Sequence, residues 1–279
     1  MTFKELNNFF KKEISLLYSD NEIQSIYNII IEEKLNLNKA QVYIKNNEKV
    51  PKIGYFINVL DKLKKGIPIQ YIIGKVYFLN TILKTNQNVL IPRPETEELV
   101  NWVLSSEKKN KKIKVLDIGT GSGCISIALK KNRSEWDVHA YEKSTNAIKI
   151  AIFNSKINKT LINFKKFDIL KDKSDNVFDI IVSNPPYVPE NQKKNTSKII
   201  LDFEPNEAIF VPNNKSLIFY NAIVNFSKKS LRKGGKLYFE FYSENLIKIK
   251  HILQKNKFHN IEVKRDLNEK NRFISAIKK

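Results

Sequence analysis

Lys114-Val115-Leu116-Asp117-Ile118-Gly119-Thr120-Gly121-Ser122-Gly123 decides the fold of this 279-residue chain. A short apolar run gives way to a turn with glycine at every second position. An apolar helix is expected to follow, over 123–131. The chain holds only eight glycines, and three of them fall within the last five residues of this stretch. A composition that sheds glycine yet keeps it at one turn argues for a steric need for no side chain there. Strand, glycine-rich turn and helix in this order let the backbone approach a nucleotide-like ligand closely.

The alternation continues downstream. Strands are expected at 113–118, 136–141, 161–166, 178–183, 235–241, 259–265 and 271–277, with helices at 144–156, 215–232 and 243–255. Strands alternating with helices predict an α/β fold built on a doubly wound, mostly parallel sheet of seven strands. Upstream, a helix over 96–105 opens this domain, which is expected to span 91–279. Residues 76–90 alternate weakly around Thr85-Asn86-Gln87-Asn88, as a linking β-hairpin would. Residues 1–75 read differently. Leu6, Phe9, Phe10, Ile14 and Leu17 recur at helical steps, and Ser19 and Asn38 are helix N-cap signals. Ile53, Phe56, Ile57, Leu60 and Leu63 mark another helix, and Gly66-Ile67-Pro68 ends the run. A small all-helical N-terminal domain is expected.

Hydrophobic content of 42% supports a real core. No apolar run approaches the ~18 residues of a membrane span. The start, Met1-Thr2-Phe3-Lys4-Glu5, lacks the apolar stretch of a signal peptide, so a cytoplasmic location is expected. Cys124 is the single cysteine, and His139, His251 and His259 show no ligand spacing, so no metal is expected. The net charge of +20 invites a nucleic-acid reading, but only five of 49 basic residues are arginine. Base reading and bidentate phosphate contacts favour arginine. The lysines scatter, apart from Lys108-Lys109-Asn110-Lys111-Lys112. The charge therefore reads as compositional bias, with a field towards an acidic or ribosome-associated partner as the alternative.

The second expected strand ends at Glu142, 23 residues beyond Gly119, where an acid binds ribose hydroxyls in such folds. Asp168, ending the third, could accept from an adenine amino group, and Ile169 could cover the adenine face. A helix cap and a core position are the plain alternatives for these two. The turn itself, with the backbone of Gly119, Thr120, Gly121, Ser122 and Gly123, carries no basic residue and no Gly-Lys-Ser/Thr. It suits a nucleoside without phosphates, and S-adenosylmethionine is such a cofactor. After the fourth expected strand comes Asn184-Pro185-Pro186-Tyr187. Each proline fixes its own φ and biases the residue before it towards extended geometry. The Asn184 side-chain carbonyl and the Pro185 backbone carbonyl could then hold a planar –NH2 group, with Asn184 also beside the cofactor and Tyr187 as an aromatic wall.

These residues resemble the amino-group methyltransferases of class I that use S-adenosylmethionine. Within them the chain is similar to the release-factor glutamine methyltransferases. Gly66-Ile67-Pro68-Ile69-Gln70-Tyr71-Ile72-Ile73-Gly74, Ile91-Pro92-Arg93-Pro94-Glu95-Thr96-Glu97 and Phe203-Glu204-Pro205-Asn206-Glu207-Ala208-Ile209-Phe210 carry the resemblance, with Asp266-Leu267 and Arg272 near the end. Glu240-Phe241-Tyr242 stands where that family usually has Glu-Ile-Gly, the Asn213–Ser216 stretch replaces a glycine expected before Leu217, and Glu269 replaces another.

The resemblance implies a Rossmann-like methyltransferase sheet and transfer of a methyl group to the Gln side chain in the Gly-Gly-Gln loop of class I peptide chain release factors. Asn184, Pro185 and Tyr187 would be the catalytic residues, and Asn184 through Tyr187, with Pro186, would bind the substrate. The helical domain would grip the folded partner. A monomer without membrane or stable nucleic-acid partners is expected. The nearest rival is a DNA or RNA amino-methyltransferase, which needs a target-reading module and a base-flipping pocket. A non-catalytic binding module is a third reading, disfavoured by the intact glycines, Glu142 and Asn184.

Overall fold

The computed structural model describes residues 1–107 and 112–279; of the lysine cluster, only Lys112 lies among them. Two compact units divide the described residues: Met1–Gly74 with Ser197–Phe203, and Lys75–Thr196 with Glu204–Lys279.

The first unit contains α1 (Phe3–Ile14), α2 (Asp20–Leu35), α3 (Lys39–Ile44), α4 (Ile53–Lys64) and α5 (Ile69–Ile73). The first three begin with reciprocal caps, Thr2 with Glu5, Ser19 with Glu22 and Asn38 with Gln41. Each pair satisfies two backbone N–H groups that the first turn leaves without partners. Phe3, Leu6, Phe10 and Ile14 bury one face of α1 against Ile23, Tyr27, Ile30 and Phe56. Helix α5 lies beyond the expected stop at Gly66-Ile67-Pro68. A proline cannot continue a helix but its fixed φ suits the start of one, and Pro68 stands directly before α5.

The second unit opens with β1 (Lys75–Phe78) and β2 (Thr81–Lys84), an antiparallel hairpin. It turns at Leu79 and Asn80, earlier than Thr85–Asn88, because Leu79 adopts a left-handed φ of 48° and the Thr81 hydroxyl donates to the Phe78 carbonyl. The Asn86–Asn88 stretch instead makes a local turn after β2, with the Asn88 N–H donating to Asn86 Oδ1 at 2.9 Å. Then follow α6 (Pro94–Ser105), β3 (Lys114–Ile118), α7 (Cys124–Asn132), β4 (Asp137–Glu142), α8 (Thr145–Ile157), β5 (Asn163–Lys166), β6 (Phe178–Ser183) and β7 (Val188–Pro189). Helix α9 (Lys198–Phe203) groups with the first unit. The chain ends through β8 (Phe210–Val211), α10 (Ile218–Ser230), β9 (Leu231–Glu240), α11 (Leu246–Lys255), β10 (Phe258–Arg265) and β11 (Asn271–Lys278).

The main sheet has seven strands in the order β10-β11-β9-β6-β3-β4-β5. From β9 to β5 neighbours run parallel; β10 and β11 close one side antiparallel. Successive strand residues face opposite sides. Val115 and Ile180 join a core with Trp102, Val103 and Leu129, while Leu116 and Ile181 join another with Tyr220, Ile249 and Leu253. Helices therefore cover both faces, as the doubly wound reading requires. No described helix is long and apolar enough to cross a membrane.

Candidate active site

The order of strands reverses at β3. The chain moves outward from β3 through β4 to β5, then returns to β6 on its other side. Ligands in open α/β sheets bind at the carboxyl ends of strands beside such a reversal. A cavity of about 790 Å3 lies there in the second unit, lined by Gly119, Gly121, Glu142, Asp168, Ile169 and Asn184, among others. The volume is that of an ordinary small-molecule site. Among the described residues, no group of three or more His, Cys, Asp or Glu side chains could hold a metal ion.

The three turn glycines have different reasons to be glycine. All take a left-handed φ: 75° at Gly119, 56° at Gly121 and 85° at Gly123. A Cβ on Gly119 would meet no protein atom within 4 Å, and one on Gly121 only the Gly119 carbonyl at 4.0 Å. These two lie on the cavity wall, so the protein itself does not crowd them; φ is their constraint. At Gly123 a Cβ would stand 2.8 Å from Ile127 Cδ1 and 3.3 Å from Ala151 Cβ. Gly123 is thus a packing residue, off the cavity wall. Thr120 and Ser122 also turn inward. The Thr120 hydroxyl donates to Asp117 Oδ2 at 2.6 Å, and the Ser122 carbonyl accepts from Asn154. Asp117 is fully buried. Burial pushes its carboxyl up to about 7, against the pull of the Thr120 and Ser126 donors.

Glu142 closes over the turn from the end of β4. Its Oε2 accepts from the Gly121 N–H at 3.0 Å and its Oε1 from the Ser144 N–H at 2.8 Å. Each carboxylate oxygen keeps a further lone pair, and Glu142 faces the cavity. Asp168 does two things. Its Oδ1 accepts from the Leu170 N–H at 3.0 Å, a local turn, and it also lines the cavity beside Ile169.

Asn184, Pro185 and Pro186 line the same cavity. The registered pairs Asp117 with Val182 and Ser183 with Phe239 bring the end of β6 between the glycine turn and the end of β9. Asn184 Nδ2 donates to Thr96 Oγ1 at 3.1 Å, and Thr96 Oγ1 donates to Glu240 Oε2 at 2.7 Å. Asn184 Oδ1 takes no hydrogen bond from any described residue. Tyr187 is turned away from the cavity wall. Its hydroxyl donates to Glu240 Oε1 at 3.4 Å, and its ring stacks on Tyr242 with centroids 6.3 Å apart and planes 6° from parallel. Glu240 is buried, which pushes its carboxyl up to about 7, while the Thr96 donor and the charge of Arg272 pull it back.

A further buried acid, Glu204, ties two loops together. Glu204 Oε1 pairs with Arg93 at 2.5 Å, and its Oε2 accepts from the Ile91 N–H at 3.1 Å. Arg93, Thr96 and Glu204 stand in stretches that carry the family resemblance and Glu240 in one that departs from it, yet nothing in their spacing shows that they meet. A polar residue inside an otherwise apolar strand end, as at Glu240, is the one signal that could have marked them.

A family model described as the methyltransferase small domain matches residues 98–203. The chain is 38% identical to the release factor glutamine methyltransferase of Flavobacterium psychrophilum over 99% of both chains. It is 33% identical to that of Bacteroides thetaiotaomicron, over 96% of this chain and 97% of the relative. A methyltransferase from Pyrococcus furiosus has the same fold, with a TM-score of 0.54 at 16% identity over 72% of this chain and 90% of that one. With relatives this similar along its whole length, the chain belongs to the release factor glutamine methyltransferase family.

Proposed function

We propose that this chain transfers a methyl group from S-adenosylmethionine to the side-chain amide nitrogen of the glutamine in the Gly-Gly-Gln loop of class I peptide chain release factors, in the cytoplasm, as a monomer. Membership in the family supports the substrate. The observation that carries the chemistry is Asn184: it lines the cavity, its amide is anchored at Nδ2, and its Oδ1 takes no hydrogen bond from a described residue.

The residues present fit the cofactor. Gly119 and Gly121 leave open space at the turn, Glu142 retains lone pairs for ribose hydroxyls, and Ile169 gives an apolar cover for adenine, with Asp168 beside it for the amino group. Thr120, Ser122 and Gly123 serve by holding the turn's shape. When bound, S-adenosylmethionine supplies a methyl group on a positively charged sulfur.

An amide nitrogen is a poor nucleophile because its lone pair is delocalised into the carbonyl. Asn184 Oδ1 and the Pro185 carbonyl would accept its two N–H groups and favour a nitrogen whose lone pair faces the methyl group. Most of the acceleration then comes from position and from hydrogen bonds that strengthen in the transition state; the nitrogen, having gained a bond to carbon, then gives up one of its two protons to solvent. Tyr187, held by Glu240 and Tyr242, backs this turn. The helical unit carries no residue of this machinery. Tyr43 and Ile44 are exposed side by side on it, which suits a surface that grips a folded protein.

The test is incubation with labelled cofactor and four acceptors: intact release factor, a short Gly-Gly-Gln peptide, duplex DNA and RNA. Mass mapping of the product then finds the methyl group. The expected result is one methyl on the loop glutamine, far faster in the intact factor than in the peptide. Stoichiometric label in nucleic acid with none in release factor would overturn the reading in favour of the rival.

A further inference from the structure

Asn184 can act as an acceptor in only one orientation of its side-chain amide. A side-chain amide has two nearly isosteric ends, and only one can accept the substrate's N–H groups. Turned the other way, Asn184 would set its own –NH2 against the substrate's –NH2. Something must fix the orientation.

The geometry points to Thr96 and Glu240 as positioning residues that hold the Asn184 amide with its oxygen towards the cavity. The inference rests on the proposed role of Asn184. Thr96 has one hydroxyl proton, and the ionised form of Glu240, which prevails above about pH 7, takes it on Oε2 at 2.7 Å. A hydroxyl oxygen whose proton is committed can only accept from a further neighbour. Asn184, 3.1 Å away, must therefore present Nδ2 to it. Thr96 is 3% exposed and Glu240 2%, so water does not compete for these bonds. The arrangement is held from three elements. Thr96 sits in the first turn of α6, just after Pro94. Glu240 ends β9, anchored by its pairing with Phe273 of β11. Asn184 follows β6, whose last residue Ser183 donates to the Ile118 carbonyl at 2.7 Å. Tyr187 takes the other oxygen of Glu240, so the carboxyl group is itself held from both ends. Neither Thr96 nor Glu240 lies on the cavity wall; both act through Asn184.

Thr96→Val keeps the shape of the side chain and removes the hydroxyl. Two readouts separate the inference from the function it rests on. The first needs no substrate: the Asn184 side-chain amide proton, followed by nitrogen-edited NMR, should be protected from solvent exchange in the wild type and in Thr96→Ser, and exchange freely in Thr96→Val. The second is kinetic: Thr96→Val should lower kcat on release factor at least 20-fold, with KM and cofactor Kd within threefold, and Thr96→Ser should restore most of it. An amide still protected in Thr96→Val, an unchanged kcat, or a serine variant as poor as the valine one would overturn the inference. A wild type that binds cofactor but leaves release factor unmethylated would overturn the proposed function instead, and the exchange experiment would still decide how Asn184 is held.

Discussion

Alanine at Gly123 and at Gly119 should separate folding from binding. Both glycines hold a left-handed φ, 85° and 75°, where a Cβ costs roughly 1–2 kcal/mol. The likeness ends there. At Gly123 the new Cβ would lie 2.8 Å from Ile127 Cδ1 and 3.3 Å from Ala151 Cβ. Ile127 is itself 0% exposed, so it can yield only into the core, and overpacking adds about 1–3 kcal/mol. Gly123→Ala should then lose about 2–5 kcal/mol of stability in all. At Gly119 no protein atom lies within 4 Å of the new methyl group, so the loss stays at roughly 1–2 kcal/mol. That methyl group stands on the cavity wall, and S-adenosylmethionine should bind at least about tenfold more weakly, ~1.4 kcal/mol. Urea unfolding of the ligand-free protein, followed by circular dichroism, measures the first quantity; calorimetric titration measures the second. Equal stability losses in the two variants, or Gly119→Ala with wild-type affinity, would refute the division of roles.

Asn184→Ala should lower turnover by about 10²–10³-fold, the cost of one oriented transition-state donor or acceptor, with cofactor Kd little changed; turnover near the wild type would remove Asn184 from the mechanism. Glu142→Ala should weaken cofactor binding by roughly 1.5–3 kcal/mol, the range for a hydrogen bond to a charged group, and unaltered calorimetric affinity would contradict its ribose role. Asp117 and Glu240 are pushed from 3.8 and 4.5 up to about 7 in the folded protein. Folding therefore takes up protons between those limits, and the stability it brings is full below the unfolded values and lost as pH rises to about 7. Asp266 is held low and acts only below this window. The urea midpoint should fall between pH 5 and pH 7 and level off above; a midpoint that climbs over that range would show the two acids to be ionised throughout.

The strand, glycine turn and helix at 114–132 were legible because their signals are local. Period, glycine spacing and the apolar run all lie within one stretch of chain, and so do Glu142 and Asn184 at strand ends. Thr96 and Glu240 were not legible as partners. They are 144 residues apart, and they meet only because β9 pairs with β6 and α6 begins beside it. The hairpin turn was misplaced for a related reason. Asn86-Gln87-Asn88 carries strong turn chemistry, whereas Leu79 gives no hint of its positive φ. Glu269 shows the reverse case. It stands where the family usually has glycine, and its φ of 61° shows that the turn between β10 and β11 keeps the conformation that glycine would favour. Tyr242, another departure, fills the place of a glycine with a ring that stacks on Tyr187.

The Thr96–Glu240 pair also bears on how this chain would decay if it fell out of use. Replacing both members of a buried hydrogen-bonded pair by apolar groups of the same shape is often nearly neutral or stabilising, whereas replacing one strands its partner. Selection for stability alone would thus tend to erase the pair, passing through an intermediate that is worse than either end. The composition is rich in lysine, asparagine and isoleucine, with glycine and alanine at eight residues each. An acid buried at the end of β9, 2% exposed, is therefore a feature that function accounts for and stability alone does not.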